Sequence, residues 1–483
     1  MTLATSLLMI ETWVMTTKKI DLKYIFLGSK RFPDSLDSLH SDLTNNAILQ
    51  VQLVGTLLSY EKGAFTPYIA EKYEIRNNGL EYRFTIRENL YSQNGVHITA
   101  MLVKELFEKN ILKYKSISKP PLFKYLKGFD SFYDEKVTQI SGIKVSNNQV
   151  IFNFLKKPTG VLNYFVMPYY GLGLKDSNGK VDSTGSFLIN DFSKGVIRLS
   201  LRDNWVLSEK SKVKSVEISN VTSLEEVSDD SQFTIIDLPR GYSSNIAKKR
   251  FMLHKTAPII STTLSIGKNK IDNPFVGERL TAFKSFVNKF QNDNPILNDA
   301  KVTNSVFNEK LSSKGDFSFD DYTNVEKRVV KVLSAKRGSE SEVGAWLKKL
   351  YTLIEEKFNV KIEFVKVDKT DPNWLQNINS NKYEDFRIER VHVGTRPYPW
   401  LVDLMFCSKF GISFPDKENE MCSLVKQSET LEMEKFEEEY FLREARNDYL
   451  IPLFKEPVMK LLSRELSELN FPRGETVVRF DLL

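Results

Sequence analysis

The sequence predicts a multidomain α/β protein, and three observations carry that reading. A chain of 483 residues has room for about three domains. From Arg328 to Val367 it reads strand, helix, strand: RVVKVLSA, then an amphipathic stretch from Glu342 to Phe358, then VKIEFVKV. That spacing gives a parallel pair with a helix crossing between its strands, right-handed by default. Finally, residues 66–112 combine two alternating strands with a helical period.

In that last stretch, Tyr82, Phe84 and Ile86 fall on one face of a strand and Glu81, Arg83 and Arg87 on the other. Asn77-Asn78-Gly79 precedes them as a hairpin turn. A second turn follows at Ser92-Gln93-Asn94-Gly95, and Thr99 is placed to cap a helix. Leu102, Val103, Leu106 and Phe107 recur at helical spacing, so the helix runs from about Ala100 to Leu112.

Composition narrows the function. Apolar residues make up 41% and charged residues 27%, as in ordinary globular proteins. The 68 basic residues sit among 62 acidic ones, with no dense basic block, which argues against a nucleic-acid partner. No run of about 18 apolar residues offers a membrane-spanning helix. His40, His97, His254 and His392 are too scattered in sequence for a zinc motif. There is no G-x-S-x-G, and Gly171-Leu172-Gly173 does not open a helix. Acidic pairs such as Asp229-Asp230 and Asp320-Asp321 read as solvated loops. Neither a cofactor nor catalysis is expected.

The order of residues in the hairpin region is more specific than its periodicity. Pro67, Ile69-Ala70, Tyr73, Asn78-Gly79, Tyr82-Arg83-Phe84, Ile86-Arg87, Asn94-Gly95 and Thr99-Ala100 follow one another. This series resembles the pattern of the family 5 extracellular solute-binding proteins, the dipeptide and oligopeptide receptors of ABC importers. Both turn Asp positions of that pattern are Asn here. Further matches are Pro33 to Asp37, Gly55 to Tyr60, Asp182 to Phe187, Arg202 to Trp205, Asn273-Pro274-Phe275 with Arg279 to Phe283, and Ile451-Pro452-Leu453.

The resemblance implies a type II periplasmic-binding-protein fold of three domains (cluster C): two α/β lobes with an extra small domain on the first. The expected division is 19–55, 183–258 and 450–483 for the first domain, 56–182 for the small domain and 259–449 for the second lobe. It also implies a monomer that hands a peptide or small polar ligand to permease subunits of a transporter. Between the matched segments, periodicity predicts a helix over about 46–58, strands near 19–27, 196–201, 216–221 and 233–237, a second hairpin around Asn147-Asn148, a loop region over 298–325 and a helix over 432–448.

Export fits a periplasmic receptor, but the start of the chain leaves readings open. Residues 1–17 hold an apolar run from Leu3 to Ile10, interrupted by Glu11, with no basic flank and no small-x-small cleavage site. Residues 1–18 are either a degenerate signal peptide or disordered sequence from a misplaced start, with a cytoplasmic protein the third possibility. Cys407 and Cys422 lie where dipeptide-type members carry a disulfide, so the resemblance implies a bridge; a pair of buried free thiols is the alternative. A bridge would favour an oxidising compartment.

In relatives an Asp on a loop of the second lobe pairs with the ligand's amino group, because a buried ammonium needs a carboxylate partner. The corresponding stretch here runs from Val391 to Trp400, and the Asp position holds Val393 or Thr395. Arg396 adds a positive charge instead. The expected ligand is therefore one with an anionic or neutral polar end. Arg396 pointing to solvent, or Glu389 or Asp403 acting as the acid, are the alternatives. The candidate ligand residues are His392, Gly394, Thr395, Arg396, Tyr398 and Trp400 on this wall, and Asp42 and Thr44 on the opposite one. Tyr398 and Trp400 would stack on a ligand, or else fill core.

Overall fold

The computed structural model describes residues 19–28, 32–33, 36, 47–61, 64–113, 123–158, 160–193, 195–203, 205, 211–227, 233–239, 251–256, 260–266, 275, 278–295, 301–303, 328–334, 342–365, 385–392, 397, 399–407, 420–428, 431, 433–446, 450–467 and 479–482. Two large mixed sheets organise it. The first has seven strands, in the order Phe187–Ser193, Val196–Leu201, Val213–Val221, Ile20–Leu27, Thr234–Asp237, Met459–Ser463, Phe251–Lys255. Ile20–Leu27 runs parallel to both of its neighbours; the remaining pairs are antiparallel. Apolar clusters lie against it around Tyr24, Leu49, Phe187 and Ile218, and around Ile25, Leu224, Ile236 and Leu461.

The second sheet has six strands, in the order Lys301–Val302, Leu450–Glu456, Ile260–Ile266, Phe386–His392, Arg328–Ser334, Val360–Phe364. The strand–helix–strand unit read from periodicity is present: Arg328–Ser334 pairs in parallel with Val360–Phe364, and Glu342–Phe358 is a helix. Its Trp346, Leu347, Leu350, Ile354 and Phe358 are buried with Phe283 and Val287 of the helix Glu278–Asp293. A separate cluster joins Val402, Phe406, Leu424 and Tyr440 from the helical segments Pro399–Val402, Asp403–Cys407, Glu420–Gln427 and Met433–Arg446. Cys407 and Cys422 form a disulfide inside this helical layer, with Cα atoms 5.5 Å apart.

A third, four-stranded antiparallel sheet belongs to the small domain: Ala70–Arg76, Glu81–Ile86, Gln149–Asn153, Ile143–Ser146. Its hairpins turn through asparagines in the left-handed region, Asn77 and Asn78 in one and Asn147 and Asn148 in the other. Asparagine tolerates that backbone better than most side chains. Tyr82, Phe84 and Ile86 are buried as the alternation predicts. Glu81, expected on the wet face, is also covered, because Arg83 lies 2.5 Å from its carboxylate and Asn77 donates to it. The helix Ala100–Lys113 is capped by Thr99, whose Oγ1 accepts the Leu102 N–H at 3.2 Å.

One expected element is shorter than its pattern. The helix predicted over 46–58 stops at Leu53, and Leu58 opens a strand. The cause is tertiary. The Leu53 carbonyl accepts the N–H groups of both Thr184 and Gly185 at 3.0 Å, which supplies the helix end with long-range partners. Gly55 lets the two chains meet: a Cβ there would stand 2.6 Å from the Thr184 carbonyl oxygen and 2.7 Å from Ile69. The second hairpin and the strands expected near 196–201, 216–221 and 233–237 are present with shifts of a few residues. Most of the expected 298–325 loop lies outside the described residues.

The small domain meets the first lobe at a buried polar junction. The Tyr68 hydroxyl accepts from Trp205 Nε1 at 3.2 Å and donates to Asp481 Oδ2 at 3.5 Å. The guanidinium of Arg479 lies 4.0 Å from the centre of the Tyr68 ring, makes a paired contact to the Asp481 carboxylate, and donates to Ser59 Oγ at 2.7 Å. Burial pushes the Tyr68 phenol up to about 12, against the lowering effect of Arg479. Burial also works against the charge of Arg479, but Asp481 and Tyr68 reverse that effect and its net shift is upward.

Three outcomes follow from this packing. Tyr68 is held neutral, so the stability it brings is intact below its free pKa near 10 and is lost as pH rises from there to about 12. Tyr68→Phe should remove that loss: between pH 9 and about 11.5 its unfolding free energy, read by urea titration, should fall by about 2 kcal/mol less than that of the parent. Gly55→Ala should lower stability by about 1–3 kcal/mol in the same assay, through the clash with the Thr184 carbonyl. Replacing Cys407 and Cys422 together by Ser should cost about 3 kcal/mol, seen as a lower melting temperature that no longer responds to reductant.

Candidate functional site

The chain passes between the two large sheets twice. It leaves the first sheet after Lys255 and enters the second at Ile260; it leaves the second after Glu456 and re-enters the first at Met459. The strand Leu450–Glu456, expected in the first domain, therefore belongs to the second sheet, and the return falls at Pro457-Val458. The reason is its register: Ile260 pairs with Glu456 across the second sheet, whereas Lys255 pairs with Met459 across the first. The two crossings hold each other. Thr256 donates its N–H to the Val458 carbonyl at 3.0 Å, and Thr256 Oγ1 accepts the Val458 N–H at 2.9 Å.

Register also fixes where the expected ligand segments begin. Phe26 pairs with Asp237 and Asp237 with Lys460, so Ile20–Leu27 ends at the crossing edge of the first sheet. The segment containing Asp42 and Thr44 follows that strand and precedes the helix Ala47–Leu53. In the second sheet His392 pairs with Ile260, so Phe386–His392 also ends at the crossing edge. The Gly394-to-Tyr398 segment follows from there, and Trp400 lies in the helix Pro399–Val402. Asp42, Thr44, Gly394, Thr395, Arg396 and Tyr398 themselves lie outside the described residues. In open α/β sheets, ligands are bound beyond the carboxyl ends of strands. Both candidate segments leave such ends, and both ends face the crossings.

Sequence reasoning missed the buried polar residues around this edge. Thr256, Lys455, Glu456 and Lys460 are all buried. Tyr24, also buried, donates its hydroxyl to Asp237 at 2.6 Å. Only Pro457 between two apolar runs hinted that LFKEPVMKLL is a strand, a bend and a strand. In the adjoining strand the hydroxyls of Ser261, Thr262 and Thr263 are buried and have no hydrogen-bond partner among the described residues. Polar groups in such a state carry a desolvation cost.

Comparison with known proteins fits this geometry. Residues 64–232 match the model of the bacterial extracellular solute-binding proteins, family 5 middle region. The chain is 27% identical over 140 residues to the oligopeptide-binding protein AliA of Streptococcus pneumoniae, a match spanning 27% of this chain and 21% of that relative. Its fold superposes on a periplasmic oligopeptide-binding protein, OppAIV, of Borrelia burgdorferi with a TM-score of 0.71 at 15% identity, covering 92% of this chain and 96% of that one. It superposes on AgaA of A. tumefaciens R10, solved with agropinic acid, with a TM-score of 0.69 at 16% identity, covering 92% and 94%.

The class is thus defined: a two-lobed, type II solute-binding fold with a small domain inserted before the first sheet is complete. Within that fold, residues 64–232, about a third of the chain, are similar to the middle region of the family 5 extracellular solute-binding proteins.

The unpaired hydroxyls supply a direct check on the energetics of the crossing edge. Thr263→Val removes one of them while keeping the side chain's shape. Guanidinium unfolding should find the variant equal to the parent or more stable by about 1 kcal/mol, whereas a variant whose hydroxyl had been satisfied would lose about that much.

Proposed function

We propose that this protein captures a peptide or another small polar ligand between its two lobes and delivers it to the permease subunits of an ABC importer at the cell envelope. The observation that carries the reading is the pair of hydrogen-bonded crossings with both candidate ligand segments leaving strand ends beside them. The family match and the names of the relatives, an oligopeptide-binding protein among them, support it. On this reading the first lobe comprises 19–55 and 183–258 with the chain after the return crossing. The small domain is 56–182, and the second lobe runs from 259 to the return crossing. The ligand meets Asp42 and Thr44 on one side and His392, Gly394, Thr395, Arg396, Tyr398 and Trp400 on the other. Closure by rotation about the crossings would bury it. The protein works as a monomer, without a cofactor and without catalysing a reaction.

Ligand charge is where this chain departs from its family. Neither Val393 nor Thr395 can pair with an ammonium, and Arg396 would repel one. We therefore favour a ligand with an anionic or neutral polar end. The same departure supports a second reading, a ligand sensor of the same fold that feeds no transporter.

Calorimetry with defined probes tests the charge preference: unmodified dipeptides and tripeptides against the same peptides acetylated at the amino end, and against small dicarboxylates. The blocked or acidic probes should bind at least tenfold more tightly, and Arg396→Ala should weaken them by a similar factor, about 1.4 kcal/mol. Micromolar binding of unmodified peptides would sink the charge argument. Native mass spectrometry of the protein taken from its own envelope tests the receptor reading itself. A co-purified small molecule supports it; an empty protein that no probe shifts in melting temperature favours the sensor.

A further inference from the structure

The C-terminal residues Arg479–Leu482 do something that packing alone does not require. Neighbouring side chains in this short turn enter different cores. Phe480 is fully buried in the first lobe, with its ring centre 5.6 Å from that of Tyr24 and 6.2 Å from that of Phe187. Its N–H donates to Oε1 of buried Gln52 at 3.0 Å, on the helix Ala47–Leu53. Arg479 and Asp481, on either side, reach the small domain instead, through Ser59 and Tyr68. Tyr68 belongs to the aromatic core of that domain, where Trp205 also packs with its ring centre 5.7 Å away. Arg202 in turn stacks 4.8 Å from the Trp205 ring and donates to the Ser183 carbonyl at 2.7 Å.

We infer that Arg479–Leu482 is a clasp that fastens the small domain to the first lobe and makes them turn as one body. Two strands of chain already join these parts, at Gly55 and at Asp182 to Gly185. Such connections fix distance but leave rotation free. The clasp adds a third point of attachment off that axis: an apolar plug in one body and a charge pair in the other. The charge pair is specific to its position. The Asp481 carboxylate is fully buried, and the Arg479 guanidinium is nearly so. Withdrawing either alone would strand a buried charge, so the pair resists partial opening. The consequence for function rests on the ligand-capture reading above: motion would be confined to the crossings at 256–260 and 456–459, and the wall that follows Ile20–Leu27 would keep its place. The clasp itself does not depend on that reading.

Hydrogen exchange on the full chain, without any ligand, separates the two questions. The reporters are the N–H groups of Gly55, Tyr68, Ile69, Gln93 and Thr184, which bridge or border the junction. The helix Glu342–Phe358 in the second lobe serves as the internal control. Three variants are compared: Phe480→Ala, the milder Arg479→Lys, and a chain ending at residue 478. In Phe480→Ala and the truncated chain the junction amides should exchange at least tenfold faster while the control helix is unchanged, and Arg479→Lys should show a smaller rise at the same sites. Unchanged junction exchange in Phe480→Ala and Arg479→Lys would overturn the inference. So would an equal rise in both places, since the turn would then be contributing only to overall stability. Should the truncated chain fail to fold, the two point variants decide. Because no ligand is present, the exchange result decides the clasp alone: if the capture reading failed its own calorimetric test, faster junction exchange would still leave the clasp standing.

Discussion

The mutual hydrogen bonding of Thr256 and Val458 is the constraint on which the rest of the architecture turns. Two crossings that pass between lobes expose backbone groups to no sheet of their own, and each crossing supplies what the other lacks. Their pairing fixes where the edge of each sheet lies. From that edge follow the ends of Ile20–Leu27 and Phe386–His392. A shift of one residue in either crossing would turn Lys460 or Lys455, both buried, out of the places the sheets provide for them.

Both joints of the molecule carry buried or half-buried polar groups. The crossing edge holds Lys455, Glu456, Lys460 and Thr256, and the small-domain junction holds Tyr68, Arg202, Arg479 and Asp481. The cores between helices and sheets are instead built from Phe, Leu, Ile and Val. Apolar surfaces pack wherever shapes agree, whereas charge pairs and directed hydrogen bonds work in one arrangement. Placing them at the joints gives each body a defined seat on the next.

Local pattern in the sequence was a good guide where neighbours in sequence are neighbours in space. The alternation of Tyr82, Phe84 and Ile86, the Thr99 cap and the period of Trp346 to Phe358 all depend on contacts within one unit, and each is found in the fold. Pattern misled where distant chain intervenes. Nothing within residues 46–58 tells that Thr184 and Gly185 will take the Leu53 carbonyl and end the helix. Nothing in the run from Leu450 says that it serves the second sheet, because the deciding partner is Ile260. The candidate ligand segments were legible only through the family resemblance; register then located their points of departure, and their side chains lie outside the described residues.

The position of Met459–Ser463 has a bearing on how the chain reaches its fold. This strand is one of the last, yet it lies inside the first sheet, with Thr234–Asp237 on one side and Phe251–Lys255 on the other. Thr234 even takes a hydrogen bond from its own N–H to Ser463 Oγ, a partner 229 residues away. The first lobe thus begins near the amino end but cannot be completed until nearly all of the chain has been made. Contacts so far apart in sequence make folding slow. The four-stranded sheet, by contrast, is built wholly from residues 70–153 and needs no late strand.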